Sequence, residues 1–232
     1  MKANRLVLLA VAGVSVLSLS GCAQTGNVAA RVGDRTVPTS DVDFLARMQC
    51  DSLDKAANDP AQAAQGGVQM VPTSQVRTSM VNTLVQAELD RQLAAKEHLS
   101  YDTTTLRNAM AQFQSVLSSV PAADRDRFRG MVEDIYRGQL QLYTLAQRQL
   151  ADQSVTKPTQ DQVNQAIASI QEKYRKSVDV KVNPLYGADD SGMAGSVDPS
   201  LSRPVSSFAK QSTSSRPDAR WVGQLPADQR CG

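Results

Sequence analysis

The most apolar segment of this chain lies at its start and constrains how the rest can fold. Behind Lys2 and Arg5, apolar residues extend from Leu6 to Leu19 with only a few small residues among them: Gly13, Ser15 and Ser18. A basic start followed by such a segment is the layout of a secretory signal peptide, and the segment is short for a permanent membrane span. No second long apolar run follows. We therefore expect the remaining residues to fold as a water-soluble body outside the cytoplasm.

The end of this segment, Leu19-Ser20-Gly21-Cys22, combines a branched apolar residue, two small residues and a cysteine. It resembles the lipobox of bacterial lipoproteins. The resemblance implies cleavage before Cys22 and two or three acyl chains on that residue, which hold far more firmly than one chain. We expect a lipoprotein signal peptide over residues 1–21, a tether over residues 22–27, and an anchor at the extracytoplasmic face of the cell membrane. An ordinary signal peptide or an uncleaved anchor is the alternative.

The charge of the chain argues against a nucleic-acid partner. The chain has 25 Lys and Arg residues against 23 Asp and Glu residues. Because Lys2 and Arg5 belong to the signal peptide, its removal leaves the two signs in equal number. No cluster of Lys or Arg provides the positive surface that nucleic acid binding requires, so we expect no nucleic-acid partner.

The composition favours a mainly helical domain. Aromatic residues make up only 4% of the chain, whereas sandwiches and barrels need many aromatic and β-branched strand residues. Apolar residues at helical spacing predict five helices, at about residues 41–57, 73–98, 103–120, 122–153 and 158–176. The third carries one apolar seam: Leu106, Met110, Phe113, Leu117 and Val120. We expect a loop over residues 58–71 and a bend at Gly138.

Two segments have strand patterns, at opposite ends of the predicted domain. Val28–Val32 and Arg35–Pro38 flank a Gly33-Asp34 turn, which predicts a hairpin. Ser177–Pro184 alternates apolar and polar residues. Because a lone strand is not stable, we expect it to pair with the hairpin and close the helical body with a small β-element. Residues 188–232, rich in Ser, Asp, Gly and Pro, are expected to form a flexible, mostly irregular tail.

The cysteines leave one possible intramolecular disulfide. With Cys22 lipidated, Cys50 and Cys231 remain in an exported chain, where disulfides form. Their bond would pin the tail to the first helix and close a long loop, which removes much entropy from the unfolded chain. Two free thiols are the alternative. Whether Trp221, the one tryptophan, docks on the body is left open by the sequence.

Three segments of the predicted domain, taken in their order along the chain, resemble segments of a known protein group. Ala30–Val42 contains strand, turn, strand and hydroxyl cap before the first helix, Leu84–Leu89 lies in the second helix, and Val180–Gly187 ends the domain. Together they resemble the SurA/PrsA/PpiD group of extracytoplasmic chaperones. The resemblance implies a SurA N-terminal-like helical domain over residues 28–187. It also implies chaperone-like, or holdase, binding of unfolded or nascent exported polypeptides.

Catalysis is not expected. Many members of the group carry a parvulin-type isomerase module with paired histidines, but this chain has one histidine, His98, and too few residues follow Gly187. A histidine at a predicted helix end is better explained by a favourable dipole contact than by metal binding or base catalysis. The pairs Asp124/Asp126 and Asp189/Asp190 are interpreted as solvated caps or turns. Because nucleophile elbows and phosphate loops are absent, we expect no enzyme, metal or cofactor.

Client contact is expected from apolar side chains that line a groove between helices. Several methionines lie on apolar helix rows, and methionine suits adaptable surfaces, although core packing explains them more simply; they are Met48, Met80, Met110 and Met131. The candidate client-binding residues are Phe113, Phe128, Met131 and Tyr136. The alternative function is a structural or adaptor lipoprotein that binds one folded envelope partner. A broad apolar concavity would favour many clients, and a patch with a polar, charged rim would favour one partner.

Overall fold

The computed structural model describes residues 27–64, 67–187, 193–195, 204–212, 214 and 217–232. The predicted signal peptide, Cys22 and the Asp189/Asp190 pair lie outside these residues. The described part is mainly helical with a small antiparallel sheet, as the composition predicts. None of its helices is both long and apolar enough to cross a membrane.

The elements follow one another in a simple order. The first half contains β1 Val28–Val32, β2 Arg35–Pro38, α1 Thr39–Ala57, α2 Pro60–Ala64, β3 Val71–Pro72 and α3 Thr73–Lys96. The second half contains α4 Thr103–Gln112, α5 Gln114–Ser119, α6 Ala122–Asp152, α7 Gln160–Arg175, β4 Val180–Val182, α8 Ser207–Gln211, α9 Ala219–Gly223 and β5 Arg230–Cys231.

The predicted pairing of the two ends of the domain is confirmed. The sheet has the order β2-β1-β4, and both pairs are antiparallel, with Arg31 opposite Lys181. Gly33, at φ 59°, makes the turn between β1 and β2, and its N–H donates to the backbone carbonyl of Asp179 at 2.8 Å. A side chain disfavours this left-handed conformation, so glycine fits the turn. Asn183 ties the end of β4 to β1 by donating from Nδ2 to the Val28 carbonyl at 3.0 Å.

Helix α3 is the centre of the core. Val81, Val85 and Leu89 recur every four residues on one face and are at most 1% exposed. They pack against Ala29 and Val32 of β1. Each such burial contributes about 1.5–3 kcal/mol relative to an exposed side chain. The sheet therefore rests on α3, and α1, α6 and α7 pack around the same helix.

Helix α6 runs through Gly138 without interruption, and the bend expected there stays a prediction. Gly138 is where α6 approaches α3 closely: a Cβ built on it would lie 3.3 Å from the Asp90 Cβ. Close packing, rather than a break, explains the glycine. Helix α7 begins as predicted, with a reciprocal capping box between Thr159 and Gln162.

Three local predictions were wrong. The first helix starts earlier, at Thr39, because the extended Pro38 takes the N-cap position. The third helix is interrupted at Phe113, whose ψ of −5° departs from the helical value of about −42°. On its seam Leu106, Leu117 and Val120 are buried, whereas Met110 and Phe113 are only half-buried. The expected loop over residues 58–71 contains α2 and the start of β3.

The described part of the tail contains the short helices α8 and α9 and the two-residue strand β5, and its expected flexibility stays a prediction. Cys231 forms a disulfide with Cys50, 181 positions away, and β5 pairs antiparallel with β3. Trp221 is docked, with 7% of its surface exposed and its ring centroid 5.5 Å from that of Phe208. We call residues 217–232 the C-terminal clasp. Two-residue strands have no periodic pattern, so the sequence could not indicate the β3–β5 pair.

Candidate functional site

The structure brings the four candidate client-binding residues together on one side of α6. The Phe113 ring lies 5.8 Å from Phe128 and 6.5 Å from Tyr136, measured between centroids. Phe128 and Met131 pack on the edge of a buried cluster formed by Phe44, Leu45, Met48 and Val120. All four candidates are half-buried. They therefore present apolar surface while still belonging to the packed body.

A cleft of about 180 Å³ opens beside this group, between α1 and α5. We call it the α1–α5 cleft. Helix α1 supplies one wall; Phe113, Val116 and the α5–α6 junction supply the other; Met80 and Phe128 also line it. Val116 is 40% exposed. An apolar cavity of about 150 Å³ holds one benzene molecule, so the α1–α5 cleft has room for one large apolar side chain.

The rim of the cleft is polar on the α1 side. Its side chains are Gln49, Asp51, Ser52 and Lys55, with Ser119 opposite. The Lys55 Nζ donates to the Ser119 carbonyl at 2.8 Å. This hydrogen bond joins the wall formed by α1 to the last residue of α5, where the carbonyl is free to accept it. The cleft thus combines an apolar interior with charged groups at its mouth.

Arginines on α6 hold the other wall. Arg125 donates to the carbonyls of Leu117 and Val120, both at 3.1 Å, and so fixes the end of α5. Arg127 forms an ion pair with Asp41 at 2.6 Å and lies over the Phe44 ring, 4.2 Å from its centroid. Exposed pairs of this kind contribute up to about 1 kcal/mol each. The wall formed by α5 and α6 is therefore positioned by several small interactions.

The aspartates and methionines considered in the sequence take different positions. Asp124 lies in the first turn of α6, consistent with a cap, and it also forms an ion pair with Arg47 at 3.3 Å. Met48 and Met80 line the cleft while packing in or on the core, and Met131 lies beside them. Because these three methionines pack in or on the core and also line or adjoin the cleft, their positions do not decide between a role in core packing and a role in binding.

His98 lies just past the end of α3, as predicted, in a left-handed conformation with φ 49°. Its side chain is exposed. Within the described ranges, no three His, Cys, Asp or Glu side chains converge into a group that could hold a metal ion. His98 therefore has no neighbouring ligand set.

A second, larger cavity of about 450 Å³ lies between α3, α6 and α7. Lys96 and Lys173 line it beside Tyr174, and the Lys96 ammonium lies 5.6 Å from the Tyr174 ring centroid. Burial raises the pKa of the Tyr174 hydroxyl, and the charge of Glu88 acts in the same direction. Both lysines lie in the last turns of their helices, where positive charge offsets the helix dipole. Their placement therefore has a structural explanation.

Sequence reasoning missed part of the α1–α5 cleft. Val116 was not on the predicted seam, yet it lies three residues after Phe113 and four before Val120. That spacing places the three on one face of a helix and could have indicated it. Lys55 and Asp51 carried no such signal, because exposed charges on a helix are usual.

Comparison of the chain with protein-family models, curated proteins and solved structures found no match. The function proposed below therefore rests on the residues of this chain.

Proposed function

We propose that this protein is a lipid-anchored member of the SurA/PrsA/PpiD type that binds unfolded or nascent exported polypeptides as a holdase, without catalysis. The anchor would be Cys22, at the end of the lipobox-like sequence. The observation that carries the binding role is the α1–α5 cleft, whose wall includes half-buried Phe113 and Phe128 and the exposed Val116. The client side chain would enter between them.

The physical basis of the binding is burial of apolar surface. Each Å² removed from water contributes about 25 cal/mol, so one side chain in a cleft of this size gives modest affinity. Methionine is flexible and polarizable, and Met48 and Met80 would adapt to side chains of different shapes. A site that accepts one side chain without a fixed register suits extended segments of many sequences. Weak, reversible binding is what a holdase requires.

The arrangement of the ends of the domain also supports the proposal. The β1–β2 hairpin leads directly into α1, and β4 returns to pair with β1. This is the order of elements that the resemblance of Ala30–Val42 and Val180–Gly187 implies.

The rim of the cleft favours a second candidate function, an adaptor that binds one folded partner. The cleft is narrow, and Asp51, Lys55 and Gln49 stand at its mouth. Defined charges around a small apolar centre are typical of specific interfaces. In this case the cleft would receive one anchor residue of a folded envelope protein.

Aggregation of a chemically unfolded exported protein, followed by light scattering, tests the holdase. The protein used is residues 23–232. We expect suppression at near-stoichiometric ratios, and a loss of about tenfold in potency for Val116→Glu, because a charge would be desolvated in the cleft. Tyr143→Glu is the matched control, since Tyr143 is 37% exposed on α6 and does not line the cleft. Circular dichroism checks that both variants fold.

The two candidate functions predict different results. Suppression by the native chain and by Tyr143→Glu, but not by Val116→Glu, supports the holdase at this cleft. Equal suppression by all three proteins would place client binding elsewhere. If no protein suppresses aggregation at any ratio, the holdase is wrong, and crosslinking from Val116 in the cell envelope should then reveal one folded partner.

A further inference from the structure

Helix α1 is anchored unevenly along its length. Its buried residues all lie in the first half and end at Met48: Val42, Phe44, Leu45, Ala46 and Met48. Beyond Met48, no residue of α1 is fully buried. Yet four of the six α1 residues that line the α1–α5 cleft lie in this second half: Gln49, Asp51, Ser52 and Lys55. The rim of the cleft therefore stands on the part of α1 that the core holds least.

The C-terminal clasp holds this second half from behind. Cys50 is joined to Cys231 by the disulfide, and the Gly232 N–H donates to the Asp54 carboxylate at 2.6 Å. The sulfur of Cys231 lies in a small buried cluster with Ala46 and Val76. Both bonds connect α1 residues beyond Met48 to the last two residues of the chain.

Helix α1 and Met80 connect the clasp to the cleft. Cys50 lies between Gln49 and Asp51, which both line the cleft. Met80 of α3 also belongs to both, since it lines the cleft and packs against the cluster around Cys231. A change at the disulfide would therefore be transmitted over one residue to the cleft wall.

We propose that the C-terminal clasp is a redox-dependent positioning device for the α1–α5 cleft. With the disulfide formed, residues 49–57 stay helical and the cleft binds its client. With the disulfide reduced, these residues fray and the client is released. This inference rests on the proposed client-binding function of the cleft. Cys50 and Cys231 are positioning residues, because they act through α1 and do not line the cleft.

The release step needs a dithiol reductant. One thiolate of the reductant attacks the sulfur of Cys50, which is half-buried, whereas Cys231 is 1% exposed. The Cys231 sulfur leaves as a thiolate and takes up a proton. The second thiol of the reductant then displaces Cys50, so that the protein gains two thiols and the reductant becomes a disulfide. Oxidation by a disulfide of the same class reverses the step.

After reduction, only noncovalent contacts would hold the second half of α1: Leu53 packs on the cluster around Cys231, and Lys55 donates to the Ser119 carbonyl. The β3–β5 pair is only two residues long and connects the clasp to β3, not to α1. Trp221 and Val222 are buried, so α9 keeps its place on the body. What α1 loses is the covalent bond at Cys50 and, with it, the hold on Gly232. Local fraying of residues 49–57 is therefore expected rather than global unfolding.

The test measures structure and binding separately on residues 23–232, oxidised and after treatment with dithiothreitol. Amide hydrogen exchange follows residues 49–57, with α6 and α7 as internal references. Binding is followed by fluorescence anisotropy of labelled, carboxymethylated α-lactalbumin, a permanently unfolded polypeptide. We expect exchange to become faster over residues 49–57 by more than it does in α6 and α7, whose protection should fall only as far as global stability falls. We expect the affinity of the reduced protein to be about tenfold lower.

Cys50→Ser/Cys231→Ser is the matched variant. It should show the fast exchange and the weak binding without reductant, and dithiothreitol should change neither. Unchanged exchange over residues 49–57 on reduction would overturn the proposal. So would faster exchange with unchanged affinity, stronger binding after reduction, or a loss of protection in α6 and α7 as large as that over residues 49–57. If the oxidised protein does not bind the probe at all, the proposed function fails and client gating with it, while exchange still decides whether the clasp positions α1.

Discussion

The two oxygens of the Asp90 carboxylate on α3 accept hydrogen bonds from the amide nitrogen of Gln171 on α7, at 3.1 and 3.2 Å. Gln86, one turn earlier on α3, donates to the same carboxylate at 2.7 Å. Asp90 is 4% exposed. Burial raises the pKa of Asp90, and the hydrogen bonds from Gln86 and Gln171 only partly oppose it. A buried acid thus joins α3 to α7 at a cost in desolvation.

Asp90 should make the folded protein more stable when it is protonated. Its pKa in the folded protein lies above its ordinary value of 3.8, so the folded state binds more protons than the unfolded state between pH 3.8 and the folded-state pKa. Stability from this group is therefore present at low pH and lost as pH rises through the folded-state pKa. We expect Asp90→Asn to gain stability relative to the native chain as pH rises across this window. Urea unfolding at a series of pH values measures the difference.

The control for this prediction is Asp152→Asn, which makes the same substitution at an exposed position on α6. Many carboxylates contribute to the pH dependence of the whole protein, so only the difference between each variant and the native chain is informative. A difference for Asp90→Asn that does not change with pH, or that falls as pH rises, would show that its burial does not govern its charge.

Two glycines of α6 form a matched pair for testing how α6 packs on α3. A Cβ on Gly130 would have no heavy atom within 4 Å, whereas one on Gly138 would lie 3.3 Å from the Asp90 Cβ. We expect Gly130→Ala to stabilise the protein by about 1 kcal/mol, which is the helix propensity difference. Gly138→Ala should lose this gain to crowding, and Gly138→Val should cost about 1–3 kcal/mol. The urea unfolding midpoints of the three variants measure these differences in stability. Equal gains from Gly130→Ala and Gly138→Ala would show that α6 and α3 are not in close contact.

The sheet and the long helices could be predicted because their signals are local. Val81, Val85 and Leu89 repeat at helical spacing, and Gly33 marks the hairpin turn. The pairing of β4 with β1 needed one further physical argument, that a lone strand requires a partner. The interruption at Phe113 could not be predicted. The Phe113 ring packs on Phe128 and Tyr136 of another helix, and such tertiary contacts have no signal in the local sequence.

In the site and in the tail, too, features with a local sequence signal could be predicted, whereas features that depend on tertiary contacts could not. Phe113, Phe128 and Tyr136 could be selected from apolar helix rows, but the facing wall formed by α1 depends on how two helices approach each other. The tail is joined to α1 by a bond between residues 181 positions apart. Its composition, rich in Ser and Asp, suggested mobility, yet Trp221 and Val222 are buried on the body. Composition describes a segment by itself and carries no information about a crosslink.

The Cys50–Cys231 disulfide should contribute strongly to global stability, and Trp221 provides a direct signal of its effect on the tail. A bond that closes a loop of this length removes about 5 kcal/mol of unfolded-chain entropy in the simple model, and native disulfides typically contribute about 2–5 kcal/mol. We expect Cys50→Ser/Cys231→Ser to lose stability in this range in urea unfolding. Trp221, at 7% exposure, lies in the same clasp as Cys231, so reduction should shift part of its fluorescence to longer wavelength. A small shift fits local release with α9 retained. An unchanged spectrum would show that Trp221 docks independently of the disulfide. A spectrum equal to that in urea would show that the clasp detaches completely.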